Sequence, residues 1–208
     1  MRGKRNPFVA PEGVPFLLFT LILGALALRF MGIAWALLPA LLTVLLYLLF
    51  RDPSRVVPSV PLGVVSPVDG EILEISASTE DPFEGEGHRI LIRIDSFGSY
   101  SARSPVEGHI MDLHTSDMEH AASYPKHALW LKTDEGDNVV LQFQGYRFGL
   151  PPKSLARYGE RLGQGARCAY LRLARRAELL LPPGTQLMVA PGQRVLAGSV
   201  LLGKLPHH

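Results

Sequence analysis

The chain has 208 residues, 47% of them hydrophobic and 19% charged, with 21 Lys and Arg against 19 Asp and Glu. That is too apolar for a disordered chain, and a net charge of +2 excludes a strongly basic nucleic-acid binder. A single cysteine, Cys168, excludes an intrachain disulfide framework, a Cys-rich zinc site and an iron–sulfur cluster.

The apolar residues gather near the N-terminus. Val14 to Leu28 reads VPFLLFTLILGALAL, Arg29 interrupts, and Phe30 to Phe50 follows with 21 residues lacking a charge. About 20 such residues cross a hydrocarbon core, and a shorter run spans where the bilayer thins. A signal peptide fits poorly: the stretch is too long, and no small-residue cleavage pattern precedes Arg51. Arg2, Lys4 and Arg5 precede the first run, while Arg51 and Arg55 follow the second. Both flanks are basic, so the positive-inside rule puts both in the cytoplasm, as two spans require. Arg29 then lies at the far turn, snorkelling to the headgroups. The alternative is a single span, 30–50, with the first run lying in the interface. The expectation is a multi-pass protein of the cell (inner) membrane, with its anchor over 1–52, spans near 14–28 and 30–50, and the remainder on the cytoplasmic side.

Pro53, Pro58, Pro61 and Pro67 mark an extended linker over 53–66. Beyond it, short apolar runs recur at 71–76, 89–94, 108–113, 128–133, 138–143, 167–173, 177–182, 185–190 and 199–205. Several alternate with period two, notably Ile90-Leu91-Ile92-Arg93-Ile94. Turn signals separate them, among them Asp69-Gly70 and Pro183-Gly184. This predicts an antiparallel β domain over 67–208, a sandwich or barrel, with at most one helix, in 114–124 or 153–161.

Two phrases read P-V-acid-G-x-I: Pro67-Val68-Asp69-Gly70-Glu71-Ile72 and Pro105-Val106-Glu107-Gly108-His109-Ile110. A third, Ala190 to Gly198, resembles the turn-and-strand pattern of barrel-sandwich hybrids such as lipoyl and biotinyl domains. The modified lysine of those domains has no counterpart, so a swinging-arm carrier is not expected. The fold class is therefore mostly β, a barrel-sandwich-like antiparallel domain behind a two-helix transmembrane hairpin.

Taken in order, the apolar hairpin, Phe50-Arg51-Asp52-Pro53-Ser54-Arg55, Ser66-Pro67-Val68-Asp69-Gly70, Ala102 to Gly108, Gly165 to Leu173 and Arg176 to Pro182 resemble the short, membrane-anchored phosphatidylserine decarboxylases. The resemblance covers about Pro15 to Leu205. It implies a pyruvoyl group as electron sink, made when a serine hydroxyl attacks the preceding carbonyl and the chain splits. That step needs a hydroxyl, a base and a carboxylate to orient the base.

The matching positions depart from this pattern. Aligned without a gap, Ala174-Arg175 stands where the family has Gly-Ser, and arginine has no hydroxyl to form an ester. Tyr100 stands where the family has its histidine, and a phenol with a pKa near 10 is a poor base at neutral pH. Asp69 matches the family carboxylate, though its place in an Asp-Gly turn suffices to explain it and is the preferred reading. The family's Asn-Glu-Arg-Asn and Ala-Arg-Arg phrases fall unmatched near 124–127 and 148–150. Of two other Gly-Ser steps, Gly198-Ser199 reads as a structural turn and Gly98-Ser99 lies in the region of the substituted histidine. No pyruvoyl cofactor is expected.

The histidines at 109, 114 and 120 lack the spacing of a helical metal pair, and no metal is expected. Arg103, Arg172, Arg175 and Arg176 are the candidates for binding lipid headgroups, because a guanidinium pairs with phosphate or carboxylate. On a strand through 167–173, Arg172 and Arg176 would share a face and Arg175 the other. The expected partners are membrane phospholipid and an active decarboxylase homologue or a second copy, with no nucleic acid. Three functions remain open: a non-catalytic relative, an active phosphatidylserine decarboxylase with an unrecognised processing site, and a structural membrane scaffold.

Overall fold

The computed structural model describes residues 8–78, 86–96, 98–113, 128–146, 152–172 and 174–207. The chain divides into two compact units, Met1–Ser54 and Arg55–His208.

The first unit is a helical hairpin. A 3-10 turn (Pro11–Gly13) leads into α1 (Val14–Phe30), and α2 spans Ile33–Phe50. Both helices are long and apolar enough to cross a membrane, and their large side chains face outward. The N–H groups of Met31 and Gly32 both donate to the Ala27 carbonyl, closing α1. Gly32, at φ +90°, turns the chain where a side chain would be strained. Arg29 lies in the last turn of α1, where it complements the helix dipole. Small residues let the helices meet: Gly13 lies against the Phe50 ring, and Gly24 faces Pro39. The Thr20 and Thr43 hydroxyls are 2.9 Å apart across the hairpin.

The second unit is all β among the described residues. Its strands are β1 (Gly63–Val65), β2 (Gly70–Ser78), β3 (Gly87–Ile94), β4 (Ser101–Arg103), β5 (Gly108–Leu113), β6 (Ala128–Lys132), β7 (Asn138–Tyr146), β8 (Lys153–Ser154), β9 (Arg161–Leu162), β10 (Arg167–Tyr170), β11 (Ala174–Leu181), β12 (Gln186–Leu187), β13 (Arg194–Val195) and β14 (Leu201–Lys204). They form an eight-stranded sheet in the order β13-β2-β3-β11-β7-β6-β5-β9 and two three-stranded sheets, β1-β14-β12 and β4-β10-β8. All the pairings are antiparallel, and the sheets do not close into a barrel. The alternation read from Ile90 to Ile94 is real: Ile90 and Ile92 are fully buried, while Arg93 is exposed. One inner face carries Ile72, Ile92, Ile110, Leu131, Leu141, Ala177 and Leu179 into a single core.

The two P-V-acid-G phrases occupy equivalent places. Ser66 and Ser104 each donate to the carbonyl two residues on, of Val68 (2.8 Å) and Val106 (2.7 Å). Val65 N–H donates to the Pro105 carbonyl, and Arg103 N–H donates to that of Pro67. Gly70 and Gly108 press against the carbonyl oxygens of Arg93 and Lys132, where any side chain would overlap the partner strand. The large sheet follows the same duplication. β13, β2, β3 and β11 run in from one edge as β9, β5, β6 and β7 run in from the other.

Three expectations change. Residues 153–161 form no helix: β8 and β9 lie at their ends, with a turn between. The other expected helix, 114–124, lies outside the described residues. β1 falls within the stretch expected to be linker, because prolines on both sides mask a three-residue strand that pairs with β14. β10 stops at Tyr170, so Arg172 is not in a strand and shares no face with Arg176.

Candidate functional site

The site forms where β2 begins, β3 ends and β11 begins. Asp69 lies just before β2 and is 4% exposed. Its Oδ1 accepts the Ala197 N–H (2.8 Å). Its Oδ2 accepts the Ser99 N–H (2.9 Å) and Arg55 Nη2 (2.8 Å). Three donors, one of them a guanidinium, fix the orientation of this buried carboxylate. Gly98 allows the approach: a Cβ there would stand 2.7 Å from that of Asp69. The Asp69 carbonyl accepts the Asp95 N–H, which ties this turn to the end of β3.

Tyr100 is half-buried and follows Ser99, whose N–H binds this carboxylate. Its hydroxyl donates to the Ser96 carbonyl (2.8 Å), and its carbonyl accepts the Leu171 N–H (2.7 Å). Leu171 leads to Arg172, whose φ of +51° is a left-handed conformation costly for a non-glycine residue. Ala174 then opens β11 and Arg175 follows. Arg175 is on the core-facing side of β11 by alternation, but it stands at the strand's end and is exposed. Tyr100, Ala174 and Arg175 line one cleft of about 200 Å³ together with Arg93, Ile94, Asp95 and Ser96. The structure therefore brings positions 100 and 175 into one cleft; Asp69 does not line it and is linked to it through Asp95, whose N–H donates to the Asp69 carbonyl.

It does not bring Arg103 there. Arg103 is 1% exposed, donates from Nη1 to the Gly165 carbonyl (3.2 Å) and packs against Gly198. A headgroup at the surface cannot reach it, so Arg103 is a structural residue and is removed from the lipid-site candidates. Arg176 is exposed on the opposite face of β11 from Arg175. Arg172 sits in the turn between β10 and β11 and is half-buried.

Sequence reasoning missed the groups that occupy Asp69. Arg55 is distant in sequence and reads as a topological charge, and backbone donors at Ser99 and Ala197 leave no side-chain signature. Among the described residues no group of His, Cys, Asp and Glu could hold a metal ion. His109 is exposed, whereas His114, His120 and the stretches 124–127 and 148–150 lie outside the described residues. Cys168 is fully buried in the core, and the burial pushes its thiol up to about 12.

No family model matches the chain. Curated relatives do. A phosphatidylserine decarboxylase proenzyme of Nitrosomonas eutropha is 32% identical over 212 residues, covering 96% of both chains. That of Nitrosomonas europaea is 31% identical with the same coverage. That of Burkholderia ambifaria is 30% identical over 215 residues, covering 96% of this chain and 97% of the relative. Among solved structures, the glucose permease IIA from Mycoplasma capricolum overlaps 68% of this chain at 20% identity, with a TM-score of 0.47.

Proposed function

The chain belongs to the phosphatidylserine decarboxylase family, and on that premise we propose that it is a membrane-anchored, non-catalytic member that binds phospholipid headgroups or an active homologue. The family's pyruvoyl group does not fit the residues present. Position 175 carries a guanidinium on a carbon chain, and position 174 carries a methyl group, so no hydroxyl is available to form the ester.

The observation that supports this reading best is the shared cleft of Tyr100 and Arg175. The two substitutions are not scattered losses but meet at one place, where they exchange a base and a nucleophile for a phenol and a cation. Asp69 is at hand, but Arg55 and two backbone N–H groups take up its oxygens. Arg175 brings to the cleft a guanidinium suited to phosphate or carboxylate, whereas Arg93 is paired with Glu71 and Asp95 adds a carboxylate to the lining. The two apolar helices support a two-pass anchor in the cell membrane, with the β unit on the cytoplasmic side as the basic flanks require.

The purified chain is expected to have the mass of one unbroken polypeptide with no keto group, and to release no CO₂ from phosphatidylserine beside an active family member as control. Two fragments, or CO₂, overturn the reading. A second reading, an active decarboxylase, draws on one observation: both remaining Gly-Ser steps lie beside Asp69, which accepts the Ser99 N–H and the N–H of Ala197, the residue before Gly198. The same mass measurement decides between them, since cutting at 98 or 198 gives different fragments.

A further inference from the structure

The register of the large sheet lines up five polar residues from five strands. Arg194 on β13 is opposite Glu71 on β2, Glu71 is opposite Arg93 on β3, Arg93 is opposite Arg176 on β11, and Arg176 is opposite Gln144 on β7. Directly opposed residues share a face. Glu71, Arg93 and Arg176 are each adjacent to a fully buried residue, Ile72, Ile92 and Ala177, so the row is on the outer face. At about 4.8 Å per strand it is roughly 19 Å long.

Three arginines in a row with one glutamate is an unfavourable arrangement by itself, since like charges directly opposite repel. Glu71 pairs with Arg93. Glu178, two residues along β11, is taken up by Arg89, Gln142 and Gln144. Arg176 and Arg194 make no ion pair among the described residues.

The duplication supplies an internal comparison. Arg161 on β9 stands where Arg194 stands on β13: each pairs its strand with the one that follows a P-V-acid-G phrase. Arg161 is neutralised by Glu107 (3.0 Å) and by Asp134. Arg194 is not. Among the described residues the same framework thus carries a compensated arginine at one edge and a partly compensated row at the other, in which Arg176 and Arg194 have no ion pair.

We propose that the row Arg194–Glu71–Arg93–Arg176 is a docking surface for an anionic lipid bilayer. It rests on the reading of α1 and α2 as membrane spans; it shares Arg93 with the cleft, whereas Arg176 and Arg194 do not line the cleft. The occupant follows from charge and tether. Arg51 to Leu62, the twelve residues between α2 and β1, reach at most about 40 Å when extended. An anionic leaflet would therefore always be within reach, whereas its field extends only about 8 Å at physiological salt. Exposed arginines on a short tether suit an anionic surface.

The test uses the full chain in nanodiscs of phosphatidylcholine, with and without phosphatidylglycerol. A fluorophore on Leu73→Cys, half-exposed on β2, reports proximity to labelled lipid by energy transfer; Cys168 is buried and does not compete for label. Transfer is expected to rise with phosphatidylglycerol, to fall with added salt, and to return to the phosphatidylcholine value in Arg176→Gln/Arg194→Gln. The docked-to-undocked ratio should drop roughly five-fold per charge removed. Arg161→Gln should change nothing. Equal transfer in both lipids, or no response to the double variant, overturns the proposal; so does an acidic protein that competes where phosphatidylglycerol has no effect. If Arg175→Ser abolishes the lipid preference and the double variant leaves it intact, this proposal falls and the cleft reading stands.

Discussion

Arg55 donates from Nη2 to Oδ2 of Asp69 at 2.8 Å, joining the segment after the helical hairpin to the turn that begins β2. The carboxylate that the family resemblance marks as an orienting group is here a structural anchor for three donors. Asp69→Ala strips a mostly buried guanidinium and two backbone N–H groups of their acceptor. It should lower the stability of the β unit by about 3 kcal/mol. Denaturant unfolding followed by Trp130 fluorescence in a Trp35→Phe background measures this. A change within error would mean that the ion pair is incidental.

The cleft shared by positions 100 and 175 predicts that, on the proposed non-catalytic reading, self-splitting can be built into the chain. In Tyr100→His/Ala174→Gly/Arg175→Ser the hydroxyl and the base return beside an existing carboxylate, behind a turn already held at Arg172 φ +51°. Slow splitting between 174 and 175 is expected, seen as two fragments by mass spectrometry. Arg175→Ser alone should stay whole, because Tyr100 does not remove the proton. An intact triple variant would show that the cleft has drifted beyond repair.

The duplicated glycines set a second contrast. Gly70→Ala puts a methyl group onto the Arg93 carbonyl, and Gly108→Ala puts one onto that of Lys132; both are backbone atoms of a paired strand. Each should cost about 3 kcal/mol or prevent folding. Gly163 has open space around a Cβ, so Gly163→Ala should fall within about 1 kcal/mol of the parent. Thermal melts of the three variants check the order.

Cys168 gives a pH signature. Its thiol rises from an ordinary value of 9.0 to about 12 through burial. Between those values the unfolded chain has lost the proton and the folded one keeps it. Stability is therefore full below about 9 and falls as pH climbs to about 12, by roughly 1 kcal/mol per pH unit from this group. Cys168→Ala should flatten that part of the alkaline profile in denaturant titrations at stepped pH. An unchanged slope would show that the thiol titrates normally.

The helical hairpin was legible from an uncharged apolar run, because α-helices alone satisfy the backbone in lipid without a partner strand. The strands were legible wherever one face is wet and the other dry, as in Ile90 to Ile94. The reading failed where a short strand owes its existence to a distant partner, as β1 does to β14, and where a strand ends in a left-handed turn, as at Arg172. It failed also at Arg103, whose charge suggests a surface while the fold buries its guanidinium against Gly165.

By itself the sequence determined the membrane-type hairpin, the β class, the family and the absence of a hydroxyl at 175, since these depend on composition, period and the identity of single side chains. Only the tertiary structure decided that Tyr100 and Arg175 share a cleft, that Arg55 occupies Asp69, and that Arg194, Arg93 and Arg176 form a row. Those relations depend on contacts between residues far apart in the chain; the row depends on strand pairing, where a one-residue slip in register would send Arg93 or Arg176 to the other face.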